Sequence, residues 1–374
     1  MVNYLGGNII EGSSTSTSSP PQTSWKEIGR FKVSGGNTSN VTVRGLSNAT
    51  SGDLADKDNL MILYYAKKNS SANTRWQLNL ETGNHYQYRY HNNVNSNSLI
   101  DTVQSTKGGN IMTHAGTNSD CFGTIQCVNY PSKTKILNYV ECGGLGTGNT
   151  TPPNYTMCIG KFDPSSHEAI KQISMINTDT GSFANDTEIV VLGVNNNESD
   201  SGSNFWQELY SGSTTGASSG NFTTDQFAKK NWLWVQATFR VSSADGVGLM
   251  AFGENGSFAS MDGANRYSYN GATEGSQDQV SYGIVAPNSD GTSWCTVEAF
   301  VMNRSGVEKL VHSTGQMDND SGSASSDPNR ATATWKYTED SGSGTAGGQL
   351  DIIRLSTANG GNIAEAYVRV YGAD

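Results

Sequence analysis

No apolar run in this chain approaches the ~20 residues that a helix needs to cross a bilayer. The opening MVNYLGGNIIEGSSTSTSSPP lacks both a basic start and a long apolar stretch, so it does not read as a secretory signal. Basic residues are scarce: 24 Lys and Arg stand against 34 Asp and Glu, for a formal net charge of −10. That balance argues against a nucleic-acid binder, whose affinity depends on Lys and Arg neutralising phosphates. It argues equally against an anionic membrane surface as partner. Cysteine is sparse and odd in number: Cys121, Cys127, Cys142, Cys158 and Cys295. With no CxxC and no His at zinc spacing, a structural zinc site is not expected. The thiols read as free, some buried as small apolar side chains.

Charged residues (16 %) and hydrophobic residues (34 %) both fall below globular averages, which would also suit a disordered chain. Seven Trp, sixteen Tyr and eleven Phe decide against that, because disordered chains are poor in aromatics. The composition points to a folded protein of many short strands and polar turns. Sequons such as Asn37, Asn40, Asn48, Asn69, Asn149 and Asn221 are expected by chance in a chain so rich in Asn, Ser and Thr.

What is present is a repeat. SWKEIGRFKVSG from Ser24 matches NFWQELYSGSTTG from Asn204, and setting Trp25 on Trp206 gives an offset of about 180 residues. The offset persists in order along the chain. Tyr86 and Tyr88 meet Tyr267 and Tyr269. The segment near Lys135 meets that near Lys309, and the segment around Phe162 meets that around Trp335. IKQISMINTDTGSFANDTEIVVLG meets LDIIRLSTANGGNIAEAYVRVYG, which pairs Gly181 with Gly360 and Gly193 with Gly372. One shared dipeptide means nothing; five blocks in order mean an internal duplication.

The expected organisation is a flexible N-terminal arm at 1–23, a first repeat at 24–194, a polar linker at 195–203 and a second repeat at 204–374. Within each repeat the pattern is β. Asn59–Ala66 and Asn231–Val241 are rich in β-branched and aromatic residues, and Thr74–Leu80, Thr124–Tyr130 and Thr296–Met302 alternate at period two. NFWQELY is a short helix candidate. The fold class is all-β: two tandem antiparallel β-sandwich domains of seven to nine strands each, jelly-roll-like or Ig-like.

Four chemistries have partial signatures in the sequence. Asn177–Glu188 sets oxygen-bearing side chains at its first, third, ninth and twelfth places (Asn177, Asp179, Asn185, Glu188), as a calcium loop does. Gly181 and Ser182 hold the fifth and sixth places, where an EF-hand needs an oxygen and then Gly, and Tyr367 stands opposite Glu188 in the other repeat. The segment is expected to be a hairpin turn between ISMI and EIVVLG instead. Hydrolysis finds no GxSxG elbow and no order among His85, His91, His114, His167 and His312. Glycoside chemistry needs paired carboxylates, and none stands out. Trp76, Trp232, Trp234 and Trp294 are candidates to stack on a sugar ring, with core filling the favoured alternative. Gly143–Thr151 superficially resembles a phosphate loop but lacks the terminal Gly-Lys-Ser/Thr. No catalytic residue, metal or cofactor is therefore expected.

With these blocks in view, the chain resembles a family of virion structural proteins of marine tailed bacteriophages. Members open tandem domains with a TSWKE(I/L)GR- or NFWEEL-type segment, contain (D)TG.NY..R and close with INTDTG.FA..SE..VLG. The matching residues are Thr23–Arg30, Asn204–Leu209, Glu81–Tyr86 with Arg89, and Ile176–Gly193. The start NYLGGNIIEGSS also looks typical, and the likeness covers nearly the whole chain. The second repeat departs at GENGSFASMDGANRYSY, which carries an insertion before Tyr267. The resemblance implies a non-enzymatic virion component, a capsid decoration or cement protein on the head exterior, made in the bacterial host cytoplasm. Its partners would be the major capsid protein or tail proteins and further copies of itself, with neither nucleic acid nor membrane. A tail fibre, knob or spike module touching the host, or a carbohydrate-binding module recognising host-surface glycan, are the alternatives.

Overall fold

The structure, a computed structural model, describes residues 25–44, 54–69, 74–93, 100–106, 109–110, 120–143, 151–178, 180–195, 204–215, 220–242, 244–258, 261–269, 273–277, 280–290, 294–317, 329–339, 347–358 and 361–374. The expected arm at 1–23, residues 196–203 of the expected linker and 144–150 of the phosphate-loop look-alike lie outside these, as do His114, Asp179, Gly360 and the sequons at Asn48 and Asn149.

The chain is all-β, and no helix among the described residues is long and apolar enough to cross a membrane. The first twelve strands are β1 Lys26–Lys32, β2 Asn40–Arg44, β3 Asn59–Lys67, β4 Thr74–Leu78, β5 Tyr86–Asn93, β6 Ile100–Thr106, β7 Gly109–Asn110, β8 Asp120–Val128, β9 Lys135–Gly143, β10 Asn154–Phe162, β11 Gln172–Asn177 and β12 Glu188–Val194. Then come β13 Gln207–Thr215, β14 Phe222–Thr223, β15 Trp232–Val241, β16 Ala244–Glu254, β17 Met261–Tyr269, β18 Thr273–Gln277, β19 Gly283–Asp290, β20 Trp294–Met302, β21 Lys309–Met317, β22 Asn329–Glu339, β23 Leu350–Ala358 and β24 Ile363–Ala373.

Two compact units divide between Gln207 and Glu208, with residues 151–155 grouped with the second. In the first, an eight-stranded sheet β1-β12-β3-β8-β9-β10-β5-β6 accompanies a four-stranded sheet β2-β11-β4-β7. In the second, the orders are β13-β24-β15-β20-β21-β22-β17-β18 and β14-β23-β16-β19. Every strand number of the second is that of the first plus twelve. Twelve strands per unit exceed the seven to nine expected. The surplus includes strands of two residues, β7 and β14, too short for a period to show.

Each unit closes a core between its two sheets. Alternation fixes which residues enter it: Leu60, Ile62, Tyr64 and Ala66 of β3 point inward with Trp76, Leu78, Ile173 and Met175 of the smaller sheet. Leu233, Val235, Ala237 and Phe239 of β15 do so with Met250, Phe252, Ile353 and Leu355. Gly193 and Gly372 are packing glycines. A β-carbon on Gly193 would meet the Lys57 stem at 2.5 Å and Ile28 at 2.7 Å; one on Gly372 would meet Leu209 at 2.5 Å and the Lys230 stem at 2.8 Å.

Two local expectations change. NFWQELY is not helical: Gln207–Thr215 is a strand, with half-buried and exposed residues alternating from Tyr210 to Thr215. The segment 177–188 is not a hairpin, because β11 pairs with β2 and β4 whereas β12 pairs with β1 and β3. The chain crosses there from the smaller sheet to the larger. Phe183 anchors the crossing, fully buried and bridged to Thr38 and Lys68. The turn residues suit either connection, and the partners of the flanking strands decide between them.

Candidate functional site

Of the calcium-like loop, Asp179 lies outside the described residues, and Asn185 and Glu188 turn to separate partners. Glu188 is buried in an ion pair with Arg30 at 3.0 Å, and Asn185 Oδ1 accepts the Gly36 amide at 2.9 Å. Among the described residues no group of three metal-ligating side chains forms. The nearest approach to a hydrolytic constellation is exposed: Asp163 Oδ1 takes both the Thr134 hydroxyl (2.7 Å) and His167 Nε2 (2.6 Å). The hydroxyl thus donates to the carboxylate rather than to the imidazole, so no nucleophile–base pair is assembled. Lys161, His167 and Thr134 hold the Asp163 carboxyl well below its ordinary range. His85 meets Glu81 at 3.5 Å, while His312 is buried against Phe300 with ring centres 5.5 Å apart, and burial lowers it to about 3. None of the five cysteines forms a disulfide and all are buried, and burial raises Cys127, Cys158 and Cys295 to about 12, away from the reactive thiolate.

The polar side chains inside the units serve the fold, and two pairs recur at equivalent places. Asn129 donates to Leu54 O and accepts the Ile170 amide; Asn303 donates to Lys230 O and Leu350 O and accepts the Leu350 amide. Six residues on in each unit, a buried lysine caps carbonyls. Lys135 Nζ reaches Tyr130 O and Lys133 O at 2.6 Å, and Lys309 Nζ reaches Val307 O at 2.6 Å and Gly347 O at 3.0 Å. Sequence reasoning missed both asparagines, although the shared spacing Asn-x5-Lys was there to be read.

One polar cluster belongs to the first unit alone. Tyr64, Gly123 and Glu141 are lateral neighbours on β3, β8 and β9. With no side chain on Gly123, the Tyr64 ring lies across it and its hydroxyl donates to Glu141 at 2.6 Å. Burial raises Glu141 to about 7, against the pull of Tyr64, Lys68 and Cys121. Beside it, a small apolar cavity of about 30 Å³ is lined by Trp76, Tyr88, Leu137, Cys158 and Gly160 among others. In the second unit the strand equivalent to β10 brings Trp335 to this place, packed on Gly283.

The four tryptophans proposed for stacking separate cleanly. Trp76, Trp232 and Trp234 are buried, the last with its indole N–H on Glu298 at 2.8 Å. Trp294 is 36 % exposed and Tyr367 48 % exposed, with ring centres 6.2 Å apart and planes tilted by 32°. Register explains the pair. Two successive outward-facing rows cross β24, β15 and β20: Glu365–Arg240–Trp294 and Tyr367–Thr238–Thr296. The rings lean toward each other over the middle strand. Arg240 and Glu365 are paired at 2.6 Å, and the Thr238 and Thr296 hydroxyls lie 3.4 Å apart. In the first unit the row equivalent to Tyr367–Thr238–Thr296 is Glu188–Tyr65–Phe122, which is buried, and the Tyr65 hydroxyl donates to Asp120.

Comparison with protein-family models and with curated proteins finds no match to this chain.

Proposed function

We propose that the chain is a non-enzymatic structural protein of a bacteriophage virion, a decoration or cement protein on the outside of the head. The observation that carries this reading is the resemblance at Thr23–Arg30, Asn204–Leu209 and Ile176–Gly193 to virion structural proteins built as tandem domains. The twofold use of one strand order supports it, since a repeated rigid sandwich presents recurring surfaces to a repeating lattice. So does the employment of the interior charges. Lys135 and Lys309 hold carbonyls, Glu188 holds Arg30 and Asp351 takes the Gln226 amide at 2.8 Å, all spent on holding strands rather than on reaction. Quantitative mass spectrometry of purified particles tests the reading. Hundreds of copies per particle, with density outside the capsid lattice, are expected. A dozen or fewer moves the protein to the tail, and particles that lack it overturn the proposal.

A further inference from the structure

We propose that the outer face of the second unit carries a saccharide platform, its floor made by Trp294 and Tyr367 and its rim by Arg240, Glu365, Thr238 and Thr296, and that its ligand is a neutral hexopyranose within an oligosaccharide. The site stands independently of the virion reading. Three properties of the surface select this ligand class.

The first is composition. The six side chains of the two rows are aromatic or hydrogen-bonding, with no aliphatic residue among them. A hexopyranose matches that mixture: its C–H faces lie on aromatic rings, whose faces carry negative charge. Its hydroxyls both donate and accept, as the rim does. Arg240 only donates, Glu365 only accepts, and the threonine hydroxyls do either.

The second is charge. Arg240 and Glu365 already neutralise each other at 2.6 Å, so the rim carries no net charge to attract an acidic sugar or a phosphate.

The third is size. A fully buried aromatic side chain contributes about 150–250 Å², so two half-exposed rings offer roughly 200 Å². A stable protein interface needs about 800 Å² per partner. The patch suits a small ligand, and the two ring planes are inclined by 32° rather than forming one flat wall. The first unit has no counterpart, because Asp120 stands at the place of Trp294 and the buried Glu188 at that of Tyr367.

The experiment titrates the intact chain with cellotriose, maltotriose, laminaritriose and chitotriose to millimolar concentration, by calorimetry and saturation-transfer NMR, alongside Trp294→Ala, Tyr367→Ala and Tyr367→Phe. Thermal unfolding confirms that the three variants remain folded. At least one trisaccharide is expected to bind, with affinity reduced about tenfold or more by either alanine and largely kept by the phenylalanine. A blank against all four sugars overturns the proposal, as does binding that survives Trp294→Ala. Sedimentation supplies the remaining outcome: a dimer that Trp294→Ala dissociates, without sugar binding, makes the patch a contact between copies and overturns it as well.

Discussion

Across the inner face of its larger sheet the first unit sets Tyr64, Gly123 and Glu141 side by side, and at the same places the second sets Ala237, Val297 and Gly315. A hydrogen-bonded carboxylate in one interior answers a methyl, an isopropyl and a bare α-carbon in the other. Core identity changes here in sets: the tyrosine needs the glycine beside it, and the carboxylate needs the tyrosine. What stays constant lies at the margins of the sheets, in Asn129 and Asn303, Lys135 and Lys309, Gly193 and Gly372. Strand order rests on those shared positions, while the middle of the sandwich is free to differ as long as each group keeps its partner.

Exchanging residues between the units tests that division. The largest effect is expected from Trp335→Gly, which gives the second unit the first unit's Gly160. A vacated indole costs about 3–5 kcal/mol, read as lost hydrogen-exchange protection across β16, β19 and β22. Next comes Gly123→Val. Its side chain collides with the Tyr64 ring and strips Glu141 of a donor, for roughly 3 kcal/mol of lost stability in the first unit. The combined exchange Tyr64→Ala, Gly123→Val, Glu141→Gly is expected to recover most of that loss, and an additive result would break the idea of co-dependent sets.

Two smaller effects depend on pH. Glu141 has its folded pKa raised from 4.5 to about 7, so between those values the folded state holds a proton that the unfolded state has released. Stability from this group therefore falls as pH rises through that window, by at most about 1.4 kcal/mol per pH unit. Glu141→Gln is expected to flatten the slope in denaturant titrations. His312 has the opposite sign. Lowered from 6.5 to about 3, it stays neutral when folded, and its contribution is present above pH 6.5 and lost as pH falls toward 3. His312→Asn, the residue at the equivalent Asn138, is expected to relieve that loss. Glu298, raised to about 7, opposes His312 within the second unit, so the variants rather than the whole-protein profile separate the groups. The smallest effect is Gly160→Ala. Its methyl reaches Leu137 at 3.5 Å, an ordinary contact beside the cavity, and is expected to raise the first unit's melting temperature by an amount worth about 0.5–1 kcal/mol.

The all-β character was legible because alternation and aromatic β-formers mark β3, β4, β8, β15 and β20 without any tertiary knowledge. The crossing at 177–188 was not, because which sheet a strand joins is decided by partners about a hundred residues away or more, such as β4 and β2 for β11. NFWQELY was misread because a seven-residue stretch with Trp and Leu fits either period. Within the platform, Trp294 was readable in part. In WCTVEAF it shares a face with Thr296 and Glu298, opposite Cys295, Val297 and Ala299, and so belongs to the outer surface. Its companion Tyr367 was hidden by distance, since only pairing through β15 brings β24 and β20 within reach of each other.

In each unit the strand made last, β12 or β24, is inserted between the first strand and the third rather than added at an edge. On the ribosome, β1 therefore waits unpaired and β3 with one open side until β12 emerges, and β13 and β15 wait in the same way for β24. A chain cut short before Ile363 would lack an interior rung, not a fringe. Losing β24 therefore parts β13 from β15 and opens the larger sheet of the second unit from within.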